Sequence, residues 1–192
     1  MDEVTIRVAD VNDVSALLEI YRYYVEQTAI TYDYELPTVE EFTDKMVHTL
    51  ETYPYLVAEL NGKIVGYAYA SRFRSRPAYD WDAEMTIYVD ANTRGHRVGQ
   101  KLYTLLEQIL KEQGVVKEIA LVTTPENEFG TRYNSMHFHE KMGYRLVGKI
   151  EPCGFKFNRW FNTVIMDKII NEPTENMKSI KKFSEVREKF GL

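Results

Sequence analysis

The stretch RGHRVG, residues 94–99, followed by Lys101, has the composition of an anion holder. Arg94, Arg97 and Lys101 supply charge, Gly95 and Gly99 supply backbone freedom, and an apolar-periodic segment begins at Val98. A strand, a short glycine loop and a helix start leave first-turn N–H groups without intrahelical acceptors, beside the positive end of the helix dipole. A phosphate or diphosphate fits there, held by the amides of Gly95, His96, Arg97, Val98, Gly99 and Gln100. A plain strand-to-helix turn with solvated basic residues accounts for this segment alone equally well. The stretch is not a Walker loop, since no Gly-Lys-Ser/Thr follows. Nor is it the dinucleotide fingerprint, whose spacing and acidic ribose ligand are missing.

A second feature is a lone charge. Glu84, in WDAEMTIYV, enters an apolar strand. It reads either as a strand-end glutamate facing water or as a carboxylate in a cleft, able to take a proton as general base. Tyr79 of AYDW has a hydroxyl that can orient a substrate or Glu84, and it reads equally as a buried structural tyrosine. Arg72, Arg74 and Arg76 form the run RFRSRP. Alternate residues of an extended segment face the same way, so the three guanidinium groups are expected to converge on a carboxylate or phosphinate. A solvated strand end is the alternative. Lys156 and Arg159 in GFKFNRW are weaker candidates. His137 and His139 stand two apart on a helix and diverge, so no metal site is expected. Cys153, the one cysteine, excludes an internal disulfide. With no histidine–cysteine pattern around it, it reads as a quiet, partly buried thiol.

The elements that must position these groups are readable from period and punctuation. VTIRVA alternates as a strand, and Val14, Leu17, Leu18, Tyr21 and Val25 form one helical stripe. Thr38 with Glu41 makes a capping box for a second helix. YPYLVAELNGKIVGYAYASRF gives two strands around Asn61-Gly62, the strongest short hairpin signal. AEMTIYVD is a strand, and VGQKLYTLLEQILKEQG is a helix stopped by Gly114. KEIALVTT, YRLVGKI and RWFNTVIMDKII are the remaining strands, with a short helix NSMHFHEKMGY between the first two. The order β-α-α-β-β-β-α-β-α-β-β implies an α/β fold with a mixed-direction sheet and helices on both faces. Met177, Ile180, Phe183, Val186 and Phe190 sit at helical spacing, so residues 171–192 are expected as a helical extension of a domain at 1–170.

The 192 residues suit one domain with a sizeable core. At 44% hydrophobic and 28% charged the chain is globular, and a net charge of −5 argues against a broad nucleic-acid surface. No segment reaches the ~18 apolar residues of a membrane span. MDEVTIRVAD has no apolar signal region, and a reducing cytoplasm is the natural setting for a lone cysteine. Fourteen tyrosines need hydroxyl partners, so some should line a polar cavity, while strand-face packing covers most.

MTIYV followed by RGHRVGQKL resembles the acetyl-CoA motif of the GCN5-related N-acetyltransferase (GNAT) superfamily, Arg/Gln-x-x-Gly-x-Gly/Ala, with Arg97 in place of its middle glycine. AYDW with Glu84, the hairpin segment, and HEKMGY with GFKFNRW are similar to the phosphinothricin acetyltransferase branch, from about residue 6 to residue 169. The resemblance implies a GNAT fold of about seven strands. It also implies acetyl transfer from acetyl-CoA to the amine of a small amino-acid-like acceptor, in a ternary complex and without metal. Acceptors of the phosphinothricin, methionine sulfoximine or methionine sulfone type follow from the resemblance alone. An ammonium of pKa ~8–10 must lose a proton before it attacks, and Glu84 is the implied base. His139, four residues before Gly143, occupies the place where many members carry a tyrosine acid, and is implied as proton donor or substrate anchor. Backbone amides of the strand, at Met85, Ile87, Tyr88 or Val89, are implied to pair with the pantetheine arm. Ser135 and an asparagine at Asn127 or Asn134 are implied on the cofactor side. Arg76 matches an arginine of the branch, and a homodimer follows by analogy. Two other functions fit: a CoA-binding sensor without turnover, and an acetyltransferase for a protein N-terminus or lysine.

Overall fold

The computed structural model describes residues 3–93, 95–125 and 134–192. The elements are β1 (Val4–Val8), α1 (Val14–Gln27), α2 (Val39–Leu50), β2 (Tyr55–Leu60), β3 (Lys63–Arg72), β4 (Asp82–Val89), α3 (Val98–Gln113), β5 (Lys117–Pro125), α4 (Asn134–Lys141), β6 (Arg145–Lys156), β7 (Arg159–Ile169) and the short α5 (Phe183–Val186). Seven strands form one sheet in the order β1-β2-β3-β4-β5-β7-β6. Its neighbours are antiparallel except β4 and β5. This is the mixed α/β sheet that the element order implies.

Local chemistry sets the boundaries. Thr38 and Glu41 form both bonds of the capping box, Glu41 N–H to Thr38 Oγ1 at 3.2 Å and Thr38 N–H to Glu41 Oε2 at 2.8 Å. Asn61 and Gly62 both take positive φ, 52° and 75°, as a type I′ hairpin turn requires. Alternation then sorts the strands between two cores. Leu56, Ala58, Ala68 and Met85 face α3 with Leu102, Leu106 and Ile109. Tyr55, Val57, Tyr67 and Tyr69 face α1 and α2 with Leu17, Val25, Phe42 and Met46.

The pairing of β4 with β5 is brief. It covers Asp82↔Lys117, Ala83↔Glu118 and Glu84↔Ile119, after which β5 stays in register with β7 as far as Pro125↔Phe161. The two parallel strands therefore part just beyond Glu84, and the sheet opens there.

The C-terminal segment departs from the helix its spacing suggests. Met177 and Ile180 lie outside any helix or strand, and helix in this segment is confined to α5 and a 3₁₀ turn, Arg187–Phe190. The backbone of this segment bonds outward instead. Lys181 N–H donates to Gln113 O (2.8 Å) and Phe183 N–H to Thr52 O (2.9 Å), while Trp81 Nε1–H donates to Lys178 O (2.8 Å). Phe183 and Val186 are buried in the same core as α3. Spacing alone located the apolar contacts, but these tertiary partners displaced the helical bonds.

Candidate active site

The opening between β4 and β5 forms a cavity of about 410 Å³. Glu84, Thr86 and Tyr88 enter it from β4, Leu121 and Thr123 from β5, and Tyr103, Ser135 and His139 from α3 and α4. Arg74, Thr31 and Tyr32 close it from the loops. Glu84, at the last paired position of the fork, is half-buried. Burial raises its pKa above the ordinary carboxylate value, while Arg74 and Lys45 oppose the rise.

Beyond the fork, β4 offers backbone as well as side chains. Phe73 N–H donates to Asp82 O and Asp90 N–H to Val65 O, so the even-numbered residues exchange their bonds with β3. The peptide groups of Met85, Ile87 and Val89 then face the β5 side. Tyr24 takes both groups of Val89, its hydroxyl donating to Val89 O (2.5 Å) and accepting from Val89 N–H (3.3 Å). The Tyr88 amide is committed to β3 opposite Tyr67. Of the strand positions suggested by resemblance, Ile87 is the one whose amide lies past the end of the β5 ladder, turned into the opening.

The helix start beside this strand has the form of an anion site. Gly95 has φ +83°, and Arg97, at the N-cap of α3, takes the left-handed values φ 55° and ψ 31° without a side-chain cap bond. The amides of Val98, Gly99 and Gln100 are left for a ligand. A non-glycine residue held there costs roughly 1–2 kcal/mol, which gives a conformational reason for the motif's glycine at this position. Arg97→Gly is expected to raise stability by about 0.5–1 kcal/mol after the entropy cost of glycine, or ~2–3 °C in Tm, and Arg97→Ala to give no gain. Equal thermal melts for the two variants would rule out strain at Arg97. Gly99 serves packing as well: a Cβ there would stand 3.2 Å from the Phe138 ring and 3.3 Å from Ile87 Cδ1. Its small size lets α3 approach α4 and β4.

His139 is 3% exposed and has both ring nitrogens occupied. Nδ1 lies 2.7 Å from Ser135 O, which only accepts, so Nδ1 carries the proton. Burial lowers the pKa against the pull of that bond, so the ring is neutral and Nε2 accepts from the Tyr103 hydroxyl at 3.1 Å. In this state Nε2 has no proton to give. Tyr103 gave no signal in the sequence beyond a helical apolar position.

The arginine run does not converge. β3 ends at Arg72, and the chain turns through a 3₁₀ segment, Pro77–Tyr79, so strand alternation does not extend across Arg74 and Arg76. Arg72 pairs with Asp80, Arg74 lines the cavity, and Arg76 is exposed at the start of the turn. Tyr79 is 39% exposed, packs edge-on to Phe73, and stands outside the cavity lining. Lys156 is buried, its Nζ donating to Thr31 O at 2.9 Å, and Arg159 lies over Phe161. Cys153 is exposed rather than partly buried, with Sγ 3.1 Å from Thr163 Oγ1. Arg94 and Asn127 lie outside the described residues, and Asn134 opens α4. Among the described residues, no three His, Cys, Asp or Glu side chains are placed to share a metal ion, and no helix is long and apolar enough to cross a membrane.

A mixed sheet split beside an uncapped helix start, with a carboxylate at the split, is an arrangement in which an anionic ligand could lie along a free strand edge next to a candidate base. Residues 6–165 match the family model described as an acetyltransferase (GNAT) domain, and the chain belongs to that family. It is 32% identical over 157 residues to a phosphinothricin N-acetyltransferase of Streptomyces viridochromogenes, covering 82% of each chain. It is 29% identical to an L-methionine sulfoximine/L-methionine sulfone acetyltransferase of Salmonella typhimurium, covering 88% of this chain and 96% of that one. Among solved structures, a phosphinothricin acetyltransferase from Sinorhizobium meliloti in complex with AcCoA superposes with a TM-score of 0.81 at 30% identity. That match covers 94% of this chain and 98% of the other.

Proposed function

We propose that the protein transfers an acetyl group from acetyl-CoA to the amine of a small amino-acid-like acceptor, by direct attack within a ternary complex. The observation that carries this reading is the position of Glu84, at the tip of the β4–β5 fork, inside a cavity whose far side is an unpaired strand edge. Acetyl-CoA supplies the activated acetyl thioester. The amides of residues 95–100 suit its diphosphate, and the Ile87 amide suits the pantetheine arm and the developing oxyanion. Glu84, directly or through water, takes the first proton of the acceptor ammonium. The departing thiolate, of pKa near the ~8.5 of a cysteine thiol, takes the second as the amide forms. His139, neutral and bonded to Tyr103, positions that hydroxyl on the cavity wall. Arg74, the one arginine of its run in the cavity, suits the acceptor carboxylate.

Aromatic walls and a cavity of side-chain scale favour a small acceptor over a peptide, and acceptors of the phosphinothricin or methionine sulfone type are the first to test. Mixing protein, acetyl-CoA and such an amine should release free CoA thiol and N-acetyl product with saturation in both substrates. Tight CoA binding without thiol release across an amine panel would indicate a sensor module instead.

A homodimer is part of this proposal. β6 is an edge strand, and Leu146, Val147, Ile150, Phe155, Phe157 and Trp160 on β6, the following turn and β7 are each more than 40% exposed. Sedimentation at micromolar concentration tests it. A cytoplasmic location is consistent with the single free thiol.

A further inference from the structure

A second chamber, of about 180 Å³, lies behind the first, between α2 and the tyrosine-bearing face of β2, β3 and β4. Tyr88 is a wall of both. Tyr21, in the second, bonds through its hydroxyl to Thr31 Oγ1 (2.7 Å), in the first. The partition between them is thus one side chain thick. Its volume matches about six waters, room for the end of a side chain and not for a second substrate.

The chamber's polar lining is one ammonium and several tyrosine hydroxyls beside two carboxylates. Its two carboxylates are engaged, Asp33 by the Tyr21 hydroxyl (2.5 Å) and Glu41 by the capping box of α2. Lys45 Nζ stands 5.4 Å from the centre of the Tyr69 ring, hydrogen-bonds with the Tyr69 hydroxyl, and is drawn further by the Asp33 and Glu84 carboxylates. Tyr55 and Tyr67 are 2% and 1% exposed, yet among the described residues their hydroxyls bond to nothing in the chain. Neither hydroxyl is sealed in the core as the Glu118 and Gln113 oxygens are, which leaves both facing the chamber they wall. Buried hydroxyls are rarely left without a partner. An ammonium and two phenols around one small space match an oxyanion.

We propose that this chamber is the distal subsite of the acceptor. With the amine at Glu84 and the carboxylate at Arg74, a turn of the Tyr88 side chain away from Tyr21 and Thr31 joins the two chambers, and the acceptor side chain ends in an oxyanion held by Lys45 and the hydroxyls of Tyr55 and Tyr67. The assignment rests on the acetyl-transfer reading above and narrows it to acceptors whose side chain ends in a carboxylate, phosphinate or similar anion.

The test compares L-phosphinothricin, whose side chain ends in a phosphinate, with L-methionine sulfone, whose end is uncharged. Assays run at pH 9, because Lys45 also lowers the Glu84 pKa and its removal shifts the acid limb. Lys45→Met should raise KM for L-phosphinothricin about tenfold, and Tyr67→Phe several-fold, with methionine sulfone and acetyl-CoA changed less than about threefold. Lys45 lies off the buried face of α2 formed by Phe42, Met46 and Thr49, and an unchanged Tm for Lys45→Met checks that the fold is kept. Calorimetry of L-phosphinothricin binding to the CoA-loaded protein reads the same loss without turnover. Equal effects of Lys45→Met on both acceptors, or none on either, would overturn the subsite. Acetylation of amines with apolar side chains, indifferent to Lys45, would overturn the subsite and leave the reaction standing. Absence of turnover with every amine would overturn the reaction itself.

Discussion

Glu84→Gln is expected to lower kcat by about 10²–10⁴-fold, the usual share of a general base, while the affinity for CoA stays unchanged. The substitution keeps the shape and removes the proton acceptor. The fold should not suffer, because burial already raises the Glu84 pKa and its charge is a cost to the native state. Loss of activity with an unaltered or higher Tm separates a chemical role from a structural one. The pH profile gives the second arm. The base works only when deprotonated, so in the wild type kcat/KM falls as pH drops through the raised pKa. Arg74→Ala removes a charge that holds this pKa down, so the acid limb should move to higher pH. A Glu84→Gln enzyme with wild-type rates between pH 6 and 9 would remove Glu84 from the mechanism.

Glu84 stood out as a charge entering an apolar strand, and the resemblance singled it out as the candidate base. The fork that places it was not legible. Strand pairing is set by register between distant segments, and nothing in WDAEMTIYV marks where β5 departs. The same limit separates Ile87 from Tyr88. Which amide is free follows from pairing with β3, not from side-chain identity. Alternation failed for Arg76 because it assumes a strand that continues, whereas β3 ends at Arg72. His139 was found through a motif position, but its protonation state comes from Ser135 and Tyr103, contacts that no local pattern contains.

The tyrosines show both sides of sequence reading. Their number implied a polar cavity, and Tyr88 and Tyr103 do line the main one. The stacked Tyr55, Tyr67 and Tyr69 of neighbouring strands read as ordinary sheet packing, with ring centres 4.5–5.9 Å apart. Only the placement of Lys45 opposite them turns that face into a chamber. By contrast, elements fixed by local chemistry were recoverable. The Thr38–Glu41 box, the Asn61-Gly62 turn and the Gly114 stop each satisfy backbone groups within a few residues. The C-terminal segment was misread because its backbone partners, Gln113 and Thr52, lie far away in sequence.

Glu118→Gln is expected to remove the loss of stability that Glu118 causes in the wild type between pH 5 and pH 8. Glu118, on β5, is 1% exposed. Its Oε2 accepts the Tyr144 hydroxyl at 2.6 Å, and its Oε1 has no partner. Burial pushes its pKa from 4.5 up to about 7, the Tyr144 bond opposes, Glu107 adds to the rise, and Lys168 and Lys111 offset part of it. The folded chain therefore binds more protons than the unfolded chain across that interval, and stability falls as pH rises through it. A shift from 4.5 to about 7 corresponds to roughly 3 kcal/mol. Glu84, also raised, acts in the same direction, whereas His139, whose pKa is lowered, adds stability as pH rises toward 6.5. Subtracting the variant's urea-unfolding curve from that of the wild type isolates the Glu118 contribution from both. At pH 5 the wild type should equal or exceed the variant, because the glutamine amide brings two N–H donors without an acceptor where the protonated acid brings one O–H. At pH 8 the variant should be the more stable by about 2–3 kcal/mol. Parallel curves at the two pH values would mean that Glu118 is charged in the folded state, and that its unpartnered oxygen is solvated by a route this packing does not show.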